Sequence, residues 1–453
     1  MRDLAFIGFL LALLGLGARR PFLFVLAYVY IDVVSPQRLT YYLLNSIPIS
    51  AIAVALAFGG WLLADEKRDA RVAPRQLLIL LLLVYCWITT IHADFPIEAR
   101  EKWEWVWKAL AFAAFLPVTL RTRLRIESLL LFMVLSAASI IIVGGIKTLA
   151  SGGGYGQLNL MVDNNSGLYE SSTIATVAVA IVPVILWFTR YGTVFPPDGR
   201  VKAFAYALAF SSLLIPIGTS ARTGLLCIGL LALLMLRDAK RKLLYLGLIG
   251  AAGLLAVPFL PSAFTERMGT IGGYRSDSSA STRLAVWRWT IDYARDHPFG
   301  GGFNTYIQNR LRFDVIKDDA VPGTVVEAVE EVDQARAFHS AYFEMLGEQG
   351  YPGLLLWLLI NVTGLVRMEV LRRRHRASGD AWAGELATAL QGAHAIYLFG
   401  AAFVGIAFQP FVFMLIGTQI GLDTYLGRKR AEGRPRSMRD RIGSPVPGAT
   451  APA

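Results

Sequence analysis

The sequence predicts an all-α, polytopic integral membrane protein of about twelve or thirteen transmembrane helices, with one long extracytoplasmic loop containing short helices. Three observations carry that expectation. Of 453 residues, 55% are hydrophobic and only 17% are charged, which is too apolar for a soluble domain. Apolar runs long enough to cross a hydrocarbon core of roughly 30 Å recur along nearly the whole chain. The loops between them alternate between strongly basic and poor in Lys and Arg.

The apolar segments lie at roughly 4–17, 21–34, 41–64, 76–93, 104–120, 128–149, 173–189, 203–219, 223–236, 243–260, 340–361, 383–407 and 410–426. The run Leu4–Gly17 has no small-residue cleavage site before the next apolar stretch, so it reads as a retained span and not a signal peptide. It and the second segment are short and joined by "ARRP", which leaves open twelve or thirteen spans and the side of the N-terminus. Cys86 and Cys227 both fall inside apolar runs, against a disulfide framework.

The basic loops are "DEKRDARVAPR" at 65–75, "RTRLR" at 121–125, "RDAKRK" at 237–242 and "RMEVLRRRHR" at 367–376, with a basic tail from 428. Short loops rich in Lys and Arg stay in the cytoplasm. The net charge of +11 is therefore a topology signal, with anionic-lipid contact secondary and no nucleic acid implied. The alternation puts the loops after 149, 219 and 260 on the far face and the C-terminus in the cytoplasm. The chain divides into N-terminal transmembrane helices at 1–260, a large loop at 261–338, C-terminal transmembrane helices at 339–427, and a disordered, Pro/Gly/Ala-rich cytoplasmic tail at 428–453.

The loop at 261–338 is hydrophilic, with nine basic and eleven acidic residues. Long structured loops between spans are usually functional. Within it, "STRLAVWRWTIDYARDHPFGGGF" reads as a helix with Ser281 as N-cap and Pro298 as the stop. Leu284, Trp287 and Ile291 fall near one face, and Arg288, Asp292 and Arg295 share another; Arg288 also has Asp292 four residues on as a partner. Such a helix suits either the membrane interface or packing on the membrane domain.

Most catalytic signatures are absent. "GTSARTGL" lacks the lysine and spacing of a phosphate-binding loop, and the histidines at 92, 297, 339, 375 and 394 have no metal-ligand spacing. No Asp-x-Asp pair stands ready for a divalent cation, so neither a metal nor a cofactor is expected. The glycine runs at 152–154 and 300–302 offer backbone N–H groups to phosphate, a common loop feature. Two polar residues at the starts of spans stand out. Arg222 opens a span in "TSARTG" with Ser220 as its expected N-cap, and His339 opens the span after the large loop in "ARAFHSAYFEML". Unpaired N–H groups and the positive helix end beside a guanidinium make an anion site. The plainer reading is a snorkelling arginine and a solvated histidine.

Three stretches together resemble the O-antigen ligase/polymerase superfamily of membrane glycosyltransferases. "GTSARTGLLCIGLLAL" is similar to its Ser-Arg-Gly motif at a span start. "STRLAVWRWTIDYARDHPFGGGF" is similar to its loop helix ending in Pro-x-Gly-x-Gly, and "FHSAYFEMLGEQGYPGLLLWLL" to its His-Asn…Glu-x-Gly-x-x-Gly motif. The N-terminal stretch to Thr40 and "DNN" at 163–165 look most like the O-glycosylation ligases associated with exosortase systems. The chain departs in two places: Ala221 separates Ser220 from Arg222, and Ser340 follows His339 where Asn is common.

The resemblance implies inverting, metal-independent transfer of a glycan from a polyprenyl diphosphate carrier to an acceptor hydroxyl on a protein, lipid or growing glycan. The site would face the periplasm of a bacterial inner membrane. It implies His339 as general base and Arg222, Arg283 and Arg288 as diphosphate ligands, Arg222 and Arg283 foremost. Those residue types suit the chemistry: arginines neutralise a leaving diphosphate, and an imidazole accepts a hydroxyl proton near neutral pH. Two rivals are a lipid-linked oligosaccharide flippase, which predicts span repeats that the sequence does not show, and a non-catalytic scaffold of a surface-polysaccharide system.

Overall fold

The computed structural model describes residues 2–40, 44, 47–65, 67, 72–151, 168–237, 239–244, 246–247, 250–251, 260, 265, 278–316 and 328–432. The glycine run at 152–154, "DNN" at 163–165, most of the expected span at 243–260, the start of the large loop and the tail beyond 432 lie outside them. The helices are α1 (Arg2–Gly17), α2 (Phe22–Val34), α3 (Pro36–Leu39), α4 (Ile49–Ala64), α5 (Pro74–Ile91), α6 (Pro96–Thr119), α7 (Arg123–Ser151), α8 (Ser171–Ala180), α9 (Val182–Tyr191), α10 (Gly199–Gly218), α11 (Arg222–Leu236), α12 (Ser278–Asp296), α13 (Ala341–Ala377), α14 (Ala381–Ala401) and α15 (Pro410–Glu432). Among the described residues, five stretches are long and apolar enough to cross a membrane: Pro74–Ile91, Arg123–Ala150, Ser171–Tyr191, Gly199–Gly218 and Ala341–Ala377. Shorter apolar helices cover Asp3–Gly17, Phe22–Val34, Ile49–Ala64 and Arg222–Leu236. The protein is an all-α, multi-pass membrane protein.

Local chemistry sets the helix ends. Pro74 and Pro96 open α5 and α6 at the first helical position, where the missing N–H costs nothing. Glu170 caps α8 by accepting from the Ser172 and Thr173 amides, and Asp198 and Asp380 cap α10 and α14. The expected span at 173–189 is two helices end to end, because Pro183 interrupts the hydrogen-bond ladder at their junction. The core between the helices is aromatic and aliphatic, with Trp357, Tyr28, Tyr397 and Phe112 fully enclosed.

The basic segments meet at one end of the bundle. Arg125 donates to both oxygens of Asp65 at 2.6 Å, Arg237 pairs with Glu369, and Arg428 donates to the Leu120 carbonyl. Buried Glu127 ties the same end together, accepting from Arg123, Thr193 and the Trp382 indole. The large loop attaches at the opposite end, as the charge alternation requires.

Within that loop, β1 (Arg310–Ile316) and β2 (Ala328–Gln334) form an antiparallel hairpin, an element that the sequence reading did not anticipate. Helix α12 starts at Ser278, so Ser281 lies inside its first turn and is not the N-cap. The helix packs on α13 through Val286, Thr290 and Ala294, all fully buried, while Leu284 and Ile291 of the expected apolar face are 58% and 38% exposed. Asp292 pairs with Arg295 at 2.8 Å, three residues on, which is the partner the sequence offered to Arg288.

Candidate functional site

Two interlocked glycine motifs seat the loop on the membrane helices. Gly350 breaks α13 with φ 63° and ψ −167°, a conformation essentially open only to glycine. Its turn lies against the Pro298–Gly302 segment that follows α12. Gly301 N donates to the Gly347 carbonyl, Gly302 N to the Glu348 carbonyl, and Tyr351 N to the Pro298 carbonyl, at 2.9–3.1 Å. A Cβ on Gly300 would sit 2.5 Å from the Glu348 carbonyl oxygen and the Gly350 nitrogen. On the other side, Asp94 N donates to the Gly301 carbonyl, and the Asp94 carboxylate accepts from the Tyr293 hydroxyl at 2.5 Å and from Gln308 at 2.8 Å. The glycines at 300–302 therefore serve close backbone packing. Gly350→Ala should cost about 1–3 kcal/mol in backbone strain alone, with the Gly300 contact added. Thermal unfolding of the detergent-solubilised protein measures it, and an unchanged midpoint would remove the motif from this role.

That seating brings His339 to the wall of a cavity of about 470 Å³. His339 carries φ 48°, a left-handed backbone unusual for a non-glycine residue. The segment around it is fixed on both sides. The Trp287 indole donates to the Phe338 carbonyl at 2.9 Å and stacks on Phe343, and Asn309 bonds both the N–H and the C=O of Arg336. His339 remains exposed, but the packing around it strips part of its water, and this partial desolvation is the main influence that holds its pKa below the ordinary value. Arg283 adds to the lowering, Glu170 opposes it, and Arg336 lowers it further.

Arg222 repeats part of this design. Ser220 has φ 50°, and the N-cap is Ala221, whose side chain makes no cap; the expected Ser220 cap is thus displaced by one residue. The left-handed turn at Ser220 takes it off the capping position. Arg222 is the first residue of α11, at the same bundle end as the cavity, since Gly224 packs on Ala175 of α8 just below the Glu170 cap. Among the four residues singled out from the sequence, His339 lines the cavity and Arg283 acts on it electrostatically. Arg222 stands at the same end but off the cavity wall. Arg288 is exposed, five residues beyond Arg283 and so on a different face of α12.

The sequence reading missed a buried ion cluster on the same wall. Lys102 of α6 donates to Glu344 at 2.6 Å and to Glu348 at 2.8 Å, with side-chain exposures of 12%, 7% and 1%. Glu348 also accepts from Asn304 N, and Glu344 from Ala407 N at 3.0 Å. Lys102 further lies over the Phe303 and Phe408 rings at 5.4 and 5.6 Å. Two carboxylates one turn apart just inside a span are costly unless paired, and that spacing was the available signal.

Residues 206–358 match the O-antigen ligase family. Residues 1–193 match a family of unknown function (DUF5935). The chain is also 28% identical over 209 residues to the exopolysaccharide production protein ExoQ of Rhizobium meliloti (strain 1021), which covers 44% of this chain. It thus spans 43% of that relative's length. The O-antigen ligase match contains Arg222, Arg283, Arg288, His339 and both glycine motifs. The cavity draws on both matched stretches, α6 and Glu170 from the first and His339, Glu344 and Glu348 from the O-antigen ligase stretch, and on residues 404–409 beyond them.

Proposed function

We propose that the protein is a membrane glycosyltransferase that moves a glycan from a polyprenyl diphosphate to an acceptor hydroxyl, on the periplasmic face of a bacterial inner membrane. The observation that carries the reading is His339, held on a cavity wall within electrostatic reach of Arg283, inside the O-antigen ligase match. In the reaction, neutral His339 takes the proton of the acceptor hydroxyl as that oxygen bonds to the anomeric carbon. The bond from that carbon to the diphosphate oxygen breaks, and its electron pair leaves with the diphosphate. Arg222 and Arg283 stabilise the departing charge with paired N–H donors. A single displacement inverts the anomeric centre, and no glycosyl-enzyme forms. The resemblance to exosortase-associated O-glycosylation ligases favours a protein hydroxyl as acceptor, whereas the name of the R. meliloti relative favours a growing polysaccharide.

Mass analysis of surface glycoconjugates in a deletion strain should show a lost glycan and an accumulated lipid-linked precursor. Normal glycoconjugates would remove the assignment. Because lysine lacks the planar fork of arginine, Arg222→Lys and Arg283→Lys should each lower transfer while membrane levels stay normal. Arg288→Lys, on the exposed face, should lose less than Arg283→Lys. Full activity in Arg283→Lys would return that residue to an ordinary surface charge.

A further inference from the structure

The rest of the cavity lining around His339 differs in chemistry from a diphosphate site. Glu98, Glu101, Lys102 and Trp105 all belong to it, and their spacing of three, four and seven residues makes them one stripe of α6. The lone lysine of this stripe is committed to Glu344 and Glu348. Neither the Glu98 nor the Glu101 carboxylate has a hydrogen-bond or ion-pair partner among the described residues. Glu170 adds a third carboxylate, although its oxygens also cap α8. Aromatic side chains, Trp105, Tyr306 and Phe338, complete the wall. Arg222 and Arg283 are not part of it.

Resting on the transferase reading, the geometry points to this cavity as the acceptor subsite, built for an uncharged or amine-bearing sugar and set against acidic ones. Its volume of about 470 Å³ falls within the roughly 300–1,000 Å³ of small-ligand sites. Hydroxyl groups of a sugar donate to unpaired carboxylates in short, charge-assisted bonds, and the apolar face of a sugar ring lies against aromatic side chains. A uronate or phosphate on the same sugar meets like charge, which rejects it. The arrangement also separates the two substrates by charge. The anionic diphosphate belongs on the arginine side of His339 and the neutral acceptor on the glutamate side, so the imidazole stands at the boundary, where it takes the hydroxyl proton without lying between the attacking oxygen and the anomeric carbon.

The test is binding of the purified full-length protein in detergent to an array of neutral, amine-bearing and uronate-bearing oligosaccharides, with a short polyprenyl diphosphate measured in parallel. The wild type should hold neutral or amine-bearing members. Glu98→Gln/Glu101→Gln and Trp105→Ala should each weaken that binding by about tenfold or more, leaving diphosphate binding within about twofold. Glu98→Lys/Glu101→Lys should move the preference to uronates, a gain that misfolding cannot produce. Preference of the wild type for uronates, no oligosaccharide held at all, or unchanged binding in the variants would overturn the assignment. If the polyprenyl diphosphate is not bound while neutral sugars are held through Glu98, Glu101 and Trp105, the transferase reading falls and the sugar site stands.

Discussion

Lys102→Met is expected to destabilise the protein by about 3–5 kcal/mol, the typical cost of removing one partner from a buried ion pair. The lysine neutralises two carboxylates, Glu344 and Glu348, that are 7% and 1% exposed. Without it, one or both must take up a proton to remain inside. The amides of Asn304 and Ala407 then donate to weakened acceptors, and these two amides hold the segments on either side of the cavity. The loss should therefore appear in stability and in cavity shape together. Lys102→Met/Glu344→Gln/Glu348→Gln removes all three charges and should recover much of the stability, because neutral groups of matched shape cost far less to bury. Chemical or thermal unfolding in one detergent checks both variants. A loss below about 1 kcal/mol in Lys102→Met would mean that water reaches the cluster and that it is not a structural cross-brace.

The spans were legible because apolar length and loop charge are linear signals. Helix edges at Val34, Ala64, Leu236 and the start of α13 fall close to where hydropathy put them. The meeting of the basic segments at one bundle end is also what the alternation of loops implied. The hairpin was missed although Arg310–Ile316 alternates polar and apolar residues, because its partner Ala328–Gln334 carries three acidic residues and no such alternation. The inner face of α12 was missed as well. There Val286, Thr290 and Ala294 point inward, and the larger Leu284 and Ile291 face outward, as single apolar residues on a surface commonly do. At the candidate site, the residues at span starts were readable because a polar side chain there is conspicuous. Their surroundings were not. Lys102 meets Glu344 across 242 residues of chain, and the stripe from Glu98 to Trp105 becomes a wall only when the loop is seated over it. The left-handed turns at Ser220 and His339 were equally hidden, for neither residue type announces one as glycine does.

His339→Gln is expected to lower glycan transfer by about 10²–10⁴-fold, the usual contribution of a positioned general base. Glutamine still hydrogen-bonds but does not take the acceptor proton. His339→Asn makes the same chemical change with a side chain better suited to the φ of 48° at this position, so a fold defect and a chemical one can be told apart. Both variants should retain donor binding, because the diphosphate is held by arginines. The pH profile adds an independent check. Partial desolvation, then Arg283, lower the imidazole pKa below its ordinary value of about 6.5. The neutral form, the one that accepts a proton, therefore dominates at neutral pH, and transfer should fall only as pH drops through that lowered value. Arg283→Gln removes part of the lowering, so the acid limb should move to higher pH while the neutral-pH rate also drops from the lost diphosphate contact. Those opposite demands on one arginine arise only if base and leaving-group ligand are neighbours. Near wild-type transfer by His339→Gln with purified donor and acceptor would make His339 a structural residue and require another base on the cavity wall.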